Sequence, residues 1–481
     1  RSFIGFLFIA VTLFFLGLYF SVYNLMNGYP YFAYVVSSVT FLFMLTVPIL
    51  TMRILAEEKR SKTDQLILTA PVSVGGIVMG KFLALLTIFA IPVAIICFYP
   101  LIMAQYGSVP MGEAYLSILA YFLFGMTAIA IGLFLSSVTE SQVIAAVLTF
   151  LVLFLGYMMD SICSIISSTG NLLTKLLRCF DLYTPFSNLL NGTLDVSSIV
   201  YYVSVTALVL FLTVQSIQKR RYSMSVKNLS FSAYSTGMIA VAVALVVVVN
   251  IIMGEMPSSW TAIDMTSQKL YSLTDQTVDY VKNMQDDVTI YVLVNQDNQD
   301  TTLGQTLQRY DDLSDHITVE YVDPTVNPMF YTQYTTGNIS TNSLIVVSDK
   351  RSKVIDYNDV YESSYDFDYS TYSYNTTTTG YDGEGQITSA LDYVLNDDMP
   401  KVYMTTGHNE LSLSNTFTSA LNKENVDYET VNLMDLDAIP DDAACLFING
   451  ATSDFSSDDK DKVIDYLNNG GKVILVTGYT D

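Results

Sequence analysis

The first half of the chain is a succession of long apolar runs broken by short polar segments, and the second half alternates short apolar runs with polar ones. A helix needs ~20 residues to cross a hydrocarbon layer ~30 Å thick. Uncharged runs of that order at residues 3–22, 34–52, 82–102, 115–135, 142–159, 198–217 and 237–253 predict seven crossings. Pro92 and Pro100 are expected to kink or end the third, because each removes a backbone donor. No Asp, Glu, Lys, Arg or His lies well inside these runs. Ion-coupled carriers place such groups along their pathway, so that class is disfavoured.

Beyond residue 255 the rhythm changes. Predicted helices at 274–284, 302–313, 386–395, 413–423 and 457–468 alternate with β-rich runs at 288–294, 317–322, 401–405, 428–433, 445–449 and 472–477. This alternation predicts an α/β module with a largely parallel sheet, in two small units divided near residue 383. The division coincides with a biased tract, residues 361–382, where Tyr365, Asp366, Phe367, Asp368 and Tyr369 precede a threonine run. The tract reads first as an exposed hairpin or loop, and second as a face for a sugar or Ca²⁺.

Charge separates the same two halves. Residues 1–230 carry a net +4 and residues 231–481 a net −27, which describes a mildly basic, lipid-facing part and an acidic, water-facing module. Two loops concentrate the basic residues: Arg53, Lys59, Arg60 and Lys62 after the second run, and Lys219, Arg220, Arg221 and Lys227 after the sixth. With seven crossings both loops fall on one side, which the positive-inside rule assigns to the cytoplasm. Everything after about residue 255 is then expected outside. The first run lacks a cleavage site, so it does not read as a signal peptide. The chain starts at Arg1 and stops just after an apolar run, and is expected to be a fragment.

The segment 53–72 is too short to be a domain, yet its charges must face water. Leu66, Ile67 and Leu68 ahead of Pro71 predict a short amphipathic helix at the membrane surface, which a soluble partner can grip.

Residues suited to catalysis or metal binding are few. There are 2 histidines and 4 cysteines (Cys97, Cys163, Cys179 and Cys445), with no Cys-x-x-Cys pair, so neither a zinc site nor a thiol redox centre is expected. Cys445 stands alone in the acidic half and cannot form a disulfide within it. Gly75-Gly76-Ile77-Val78-Met79-Gly80-Lys81-Phe82 matches the start of a phosphate-binding loop. Phe82, however, stands where a hydroxyl would reach Mg²⁺, and no strand precedes it. A helix entering the membrane with an interfacial lysine is the expected reading. His408 and Glu410 follow a strand and read either as an acid–base pair or, the favoured reading, as part of a turn and helix cap at 409–414.

The run Thr51-Met52-Arg53-Ile54-Leu55-Ala56-Glu57-Glu58-Lys59-Arg60, continued by Thr63, by Leu66 to Ser73 and by Gly80-Lys81, resembles the permease of type-2 ABC exporters, in the branch of the gliding-motility permease GldF. Phe134 to Glu140 and Lys219-Arg220-Arg221 fit the same pattern. The remainder resembles the auxiliary protein GldG, through Ala233 to Gly237, Asp264-Met265-Thr266, Lys269 to Thr274, Val288 to Val292, Tyr321-Val322-Asp323-Pro324, Gln386 to Leu391 and Thr406-Gly407-His408-Asn409-Glu410. Each motif is short; their collinear order carries the resemblance. Lys62 and Gln65 depart from it, standing where many relatives carry Gly and Glu.

The resemblance implies a polytopic α-helical membrane domain of about seven spans followed by an extracytoplasmic α/β module, a thioredoxin-like unit and then a class I amidotransferase-like unit. The implied boundaries are 1–230 for the permease-like part, 231–260 for the seventh span, and 261–383 and 384–481 for the outer units, the last truncated. It implies the permease of an ATP-driven exporter with a fused binding or assembly module, ATP being hydrolysed by a separate cytoplasmic subunit. That ATPase would dock on Glu57, Glu58, Lys59, Arg60, Thr63, Gln65 and Leu66. Further expected partners are the lipid bilayer and a second copy or other permease or auxiliary subunits; nucleic acid, cofactors and metals are not expected. The redox cysteines of the first outer fold are absent, and Cys445 lies in an apolar strand, not at the sharp turn that exposes a nucleophile. The alternatives are an envelope-assembly or adhesion scaffold without transport, and a membrane-tethered hydrolase.

Overall fold

The computed structural model describes the chain apart from residues 1–2, 64–71, 167–171, 222–228, 255, 257–260, 267–268, 271, 295–298, 338, 369–372, 397–398 and 478–481. It forms two compact units, Arg1–Ser272 and Leu273–Asp481. In the first, α1 (Phe3–Phe20) runs on as a π-helical segment Ser21–Met26, followed by α2 (Ala33–Thr51), α3 (Ala56–Ser61), α4 (Val74–Ile96), α5 (Tyr99–Met103), α6 (Met111–Val138) and α7 (Gln142–Tyr157). Then come α8 (Met159–Ile166), α9 (Leu172–Arg178), α10 (Thr184–Leu190), β1 (Thr193–Asp195), α11 (Val196–Arg221), α12 (Leu229–Gly254) and β2 (Ala262–Asp264).

Helix α6 is the centre of this unit and packs on α2, α4, α7, α10 and α11. Small residues let the neighbours come close: a Cβ on Gly132 would overlap the side chain of Thr51, and one on Gly125 the ring of Phe89. In lipid, where apolar side chains gain little from leaving the solvent, such backbone approach is a main source of helix association. Around Gly125, Phe43 stands 5.0 Å from Phe89 and 5.1 Å from Tyr121, ring centre to ring centre.

The count of crossings differs from the expected seven. Among the described residues six helices are long and apolar enough to span a bilayer, and the fifth expected span is only the 16-residue α7. At 1.5 Å per residue α7 covers about 24 Å, less than the hydrocarbon layer. The direction of the chain is nevertheless that of a full crossing. The end of α6 adjoins α3, where Lys59 donates to the Val138 carbonyl at 3.1 Å. The start of α6 adjoins the segment around β1 and β2, where a Cβ on Gly112 would lie 2.7 Å from the Met265 carbonyl. Helix α11 starts at that same end and runs parallel to α6, with Thr127 and Thr206 hydroxyls 2.8 Å apart. Helix α12 returns antiparallel, its Asn250 donating to Ser204 at 2.9 Å, and β2 then pairs with β1. The chain therefore leaves this unit at the end opposite α3.

The third expected span begins earlier than residue 82. Ser73 caps α4, its hydroxyl accepting from the Gly76 N–H at 3.1 Å, so Gly75 to Lys81 forms the first two helical turns and cannot be a phosphate-cradling loop. Pro92 is carried inside α4, and Pro100 lies in the first turn of α5.

In the second unit α13 (Asp275–Lys282) precedes β3 (Val288–Leu293), α14 (Thr301–Leu313), β4 (Ile317–Val322), β5 (Ser343–Ser348), β6 (Ser352–Ile355) and α15 (Tyr357–Val360). The strands order as β4-β3-β5-β6, with β3 parallel to β4 but antiparallel to β5, and β5 antiparallel to β6. The largely parallel sheet expected from the sequence is thus a mixed one here. Only β3 to β4 is joined by a helix; β5 and β6 meet through a tight turn, which can join only antiparallel neighbours. The biased tract forms an antiparallel hairpin, β7 (Tyr361–Asp368) and β8 (Ser373–Tyr381).

Helix α16 (Gly383–Leu395) buries Ile387, Ala390, Leu391 and Val394 in the core of this first sheet. The change of core therefore comes after Leu395, later than residue 383, while residues up to 272 group with the helices, not with an outer unit starting at 261. A second sheet follows, built from β9 (Lys401–Thr406), α17 (Asn415–Lys423), β10 (Asp427–Asn432), β11 (Ala443–Asn449), α18 (Ser457–Asn468) and β12 (Val473–Val476). Its order is β10-β9-β11-β12, parallel throughout, as the helix between β9 and β10 and that between β11 and β12 require.

Candidate functional site

The charged segment after α2 folds as a turn and the short α3. A six-residue helix cannot sustain itself in water, and its N-cap position, Leu55, offers no side-chain acceptor. Ser136 near the end of α6 supplies one. Its hydroxyl accepts from the backbone N–H groups of Leu55 at 3.2 Å and Ala56 at 3.1 Å and donates to the Met52 carbonyl at 3.1 Å. Glu57 and Glu58 lie in the first turn and Lys59 and Arg60 in the last, the order that complements the helix dipole. The helix ends where Lys62 adopts a left-handed conformation at φ 58°, and the Thr63 N–H returns to the Glu58 carbonyl at 3.0 Å.

Three of the expected coupling residues are engaged within the chain. Glu57 receives both arms of Arg53, at 2.7 Å each. Glu58 is ion-paired with Lys81 of α4, and Lys81 also donates to the Ile54 carbonyl at 3.2 Å. Lys59 reaches the Val138 carbonyl and lies 3.4 Å from Glu140. Arg60, Lys62 and Thr63 are exposed, and the two cations have no ionic partner among the described residues. Gln65 and Leu66, with the apolar set to Leu68, lie outside the described residues. The parts played by Ser136 and Lys81 escape sequence reasoning; their one sequence signal is that each falls within a motif of the resemblance.

A second cluster sits at the carboxyl end of β9. Gly407 at φ 109° and Asn409 at φ 56° turn the chain sharply and bring His408 into the crevice between β9 and β11, where a doubly wound sheet commonly takes its ligand. Here the chain fills the crevice itself. The Leu411 N–H donates to the Asn449 carbonyl at 2.8 Å, and Thr452 and Ser453 donate to the His408 carbonyl at 3.1 and 3.0 Å. The imidazole, 1% exposed, stacks on Phe455 at 3.9 Å. Its Nδ1 lies 3.4 Å from Glu410 and its Nε2 3.4 Å from Asp459 of α18, both carboxylates buried.

Burial raises the Glu410 pKa, but backbone N–H groups of Glu410 and His408, the Thr405 hydroxyl and the His408 ring outweigh it and hold the carboxyl below the ordinary glutamate value. Asp459 is held below the ordinary aspartate value chiefly by the Ser456 hydroxyl, with His408 and Lys462 adding to it against burial. The arrangement seals one ring between two carboxylates and holds the β9 loop against α18. Cys445 pairs in register with Val402, six residues before His408 and so about 20 Å away along the strand. Its thiol turns back to the Leu446 carbonyl at 3.6 Å. The two candidate reactive side chains are not brought together. Among the described residues no group of three or more His, Cys, Asp or Glu is arranged to hold a metal ion.

Residues 19–218 match a family model described as "ABC-2 family transporter protein". Residues 267–360 match one described as "Domain of unknown function (DUF7088)". No curated protein and no solved structure matches the chain.

Proposed function

We propose that this chain, whose residues 19–218 form an ABC-2 family transporter membrane domain, is the permease subunit of an ATP-driven exporter with a fused outer module. Its apolar helices make it a multi-pass membrane protein, and ABC-2 permeases work with a cytoplasmic ATPase subunit. The observation that carries the finer reading is the placement of α3. It is the short polar helix between two long apolar ones, fixed by Ser136 to α6 and by Lys81 to α4, with Arg60, Lys62 and Thr63 turned outward. A helix so held moves only with the membrane helices, which is what a docking element must do to turn ATP hydrolysis into transport.

The outer module is read as GldG-like. The order β4-β3-β5-β6 supports a thioredoxin-like unit, and the parallel β10-β9-β11-β12 sheet supports an amidotransferase-like one. With its crevice filled by His408, the second sheet fits binding or assembly better than turnover. The chain leaves the helical unit at the end opposite α3, which supports an extracytoplasmic position for this module. Ser61 and Ser457 are both exposed in the structure, so the side of the membrane alone decides which is reached. In intact cells a cysteine at Ser457 should react with an impermeant thiol reagent and one at Ser61 should not, and both should react after the membrane is opened. Labelling at Ser61 with protection at Ser457 would overturn the orientation.

A further inference from the structure

We infer that Glu58 and Lys81 form an intramolecular latch that carries motion from α3 into the membrane helices, and that Glu58 is not part of the surface the ATPase grips. The inference rests on α3 being the ATPase-coupling element. Glu58 and Lys81 stand 23 residues apart, on α3 and in the second turn of α4. Their side chains are 29% and 19% exposed, so the pair is partly withdrawn from water. There a charge pair is screened less than one on an open surface, and losing one partner strands the other.

Lys81 does more than pair. It also donates to the Ile54 carbonyl at 3.2 Å, in the turn that joins α2 to α3, so one ammonium ties together the end of α2, the first turn of α3 and the start of α4. On its other side α3 is held by Lys59 at the Val138 carbonyl and by the Ser136 hydroxyl. The α6 tie is thus a neutral cap plus a cation at a helix C-terminus, with the exposed Glu140 3.4 Å from that cation, whereas the α4 tie is a partly buried ion pair. Force applied at Arg60 and Lys62 reaches α4 through Glu58 and Lys81. They act as positioning residues and do not touch nucleotide or substrate.

The test is a charge swap in the full-length chain copurified with its ATPase. The reporter is a cysteine at Met265, which is 41% exposed at the far end of α6, and the reading is the ATP-dependent change in its labelling rate. Glu58→Lys and Lys81→Glu singly should each reduce that change at least fivefold, an order-of-magnitude figure for loss of a part-buried pair, while the bound ATPase stays near its normal amount. The double variant carrying both changes should restore it. Failure of the swap to restore the change, or loss of the ATPase from the Glu58→Lys single variant, would overturn the latch. If the unaltered chain brings down no ATPase, the coupling reading fails by itself. The latch is then decided on the chain alone through a cysteine at Leu55, buried at 8% exposure. Faster labelling in both single variants and protection in the swap support it, and equal labelling in all four chains overturns it.

Discussion

His408→Ala should destabilise the second unit by about 3–5 kcal/mol, the usual cost of emptying a buried aromatic site. The imidazole lies between Glu410 and Asp459, whose carboxylates are buried on either side of it at 3.4 Å each. Alanine removes the ring and its stacking on Phe455 and leaves two carboxylates facing a void. Against a total stability of ~5–15 kcal/mol for a domain, the loss is large. Pulse proteolysis of the full-length protein in urea should show cleavage of the second unit at markedly lower urea, with the membrane helices unaffected. Acid should act in the same direction. Both carboxyl pKa values are lowered in the folded state, so the unfolded chain binds the protons more readily. Their contribution is present above the unfolded values of ~4 and is lost as pH falls through the lower folded ones. The second unit should therefore be more easily cleaved at pH ~3 than at neutrality, and His408→Ala should blunt that difference. A variant that kept full stability and lost function would instead mark His408 as an enzyme residue.

Reversing Arg60 and Lys62 together to Glu should lower the amount of copurified ATPase at least about tenfold, or 1.4 kcal/mol. These are the exposed cations of α3 without an ionic partner among the described residues, so an acidic face on the ATPase would meet them directly. Like charges set against each other across an interface cost several kcal/mol, and some of that is relieved by solvent at the rim. Reversal at Glu57 should act differently: its carboxylate is occupied by Arg53, and the change should disturb α3 more than the docking face. Equal recovery of the ATPase with the Arg60 and Lys62 reversals would move the contact elsewhere on the segment, toward Gln65 and Leu66.

Length and charge make the membrane helices legible, because an uncharged run of ~20 residues has few other stable homes. They do not report where a helix stops inside lipid. The apolar run from Gln142 continues past Tyr157, yet the helix breaks at Met158, and Leu182 returns its N–H to the Gly156 carbonyl at 3.0 Å. Nothing in a uniformly apolar string marks that return. The glycines at the start of α4 did not hide a helix there, since Phe82 stands where a phosphate loop needs a hydroxyl; Ser73 caps it, and Val78 and Phe82 pack into the core.

The charged segment after α2 was legible as a location and not as a set of contacts. Its charges are local in sequence, but the groups that hold it come from Ser136, 80 residues away from Ala56, and from Lys81. Charge pattern likewise did not show that Glu57 and Glu58 pair within the chain, with Arg53 and Lys81. In the second unit the alternation of helices and strands was readable around β3, β4 and β9 to β12. The strands β5 and β6 were not among those expected, and they are the ones that make the first sheet mixed. The apolar face of α16 likewise fits either sheet, and only packing assigned it to the first.

The most direct measurement is a proximity crosslink from the exposed tip of α3. A cysteine at Lys62 in the full-length protein, joined in cells to its neighbours by a short thiol–amine reagent and read by mass spectrometry, should yield an adduct with a separately encoded polypeptide carrying a phosphate-binding loop. The same reagent on a cysteine at Ser457 should not. An ATPase adduct from Ser457 alone, or none from Lys62 in cells where both proteins are present, would contradict the account of this chain as an ATP-driven permease docked through α3.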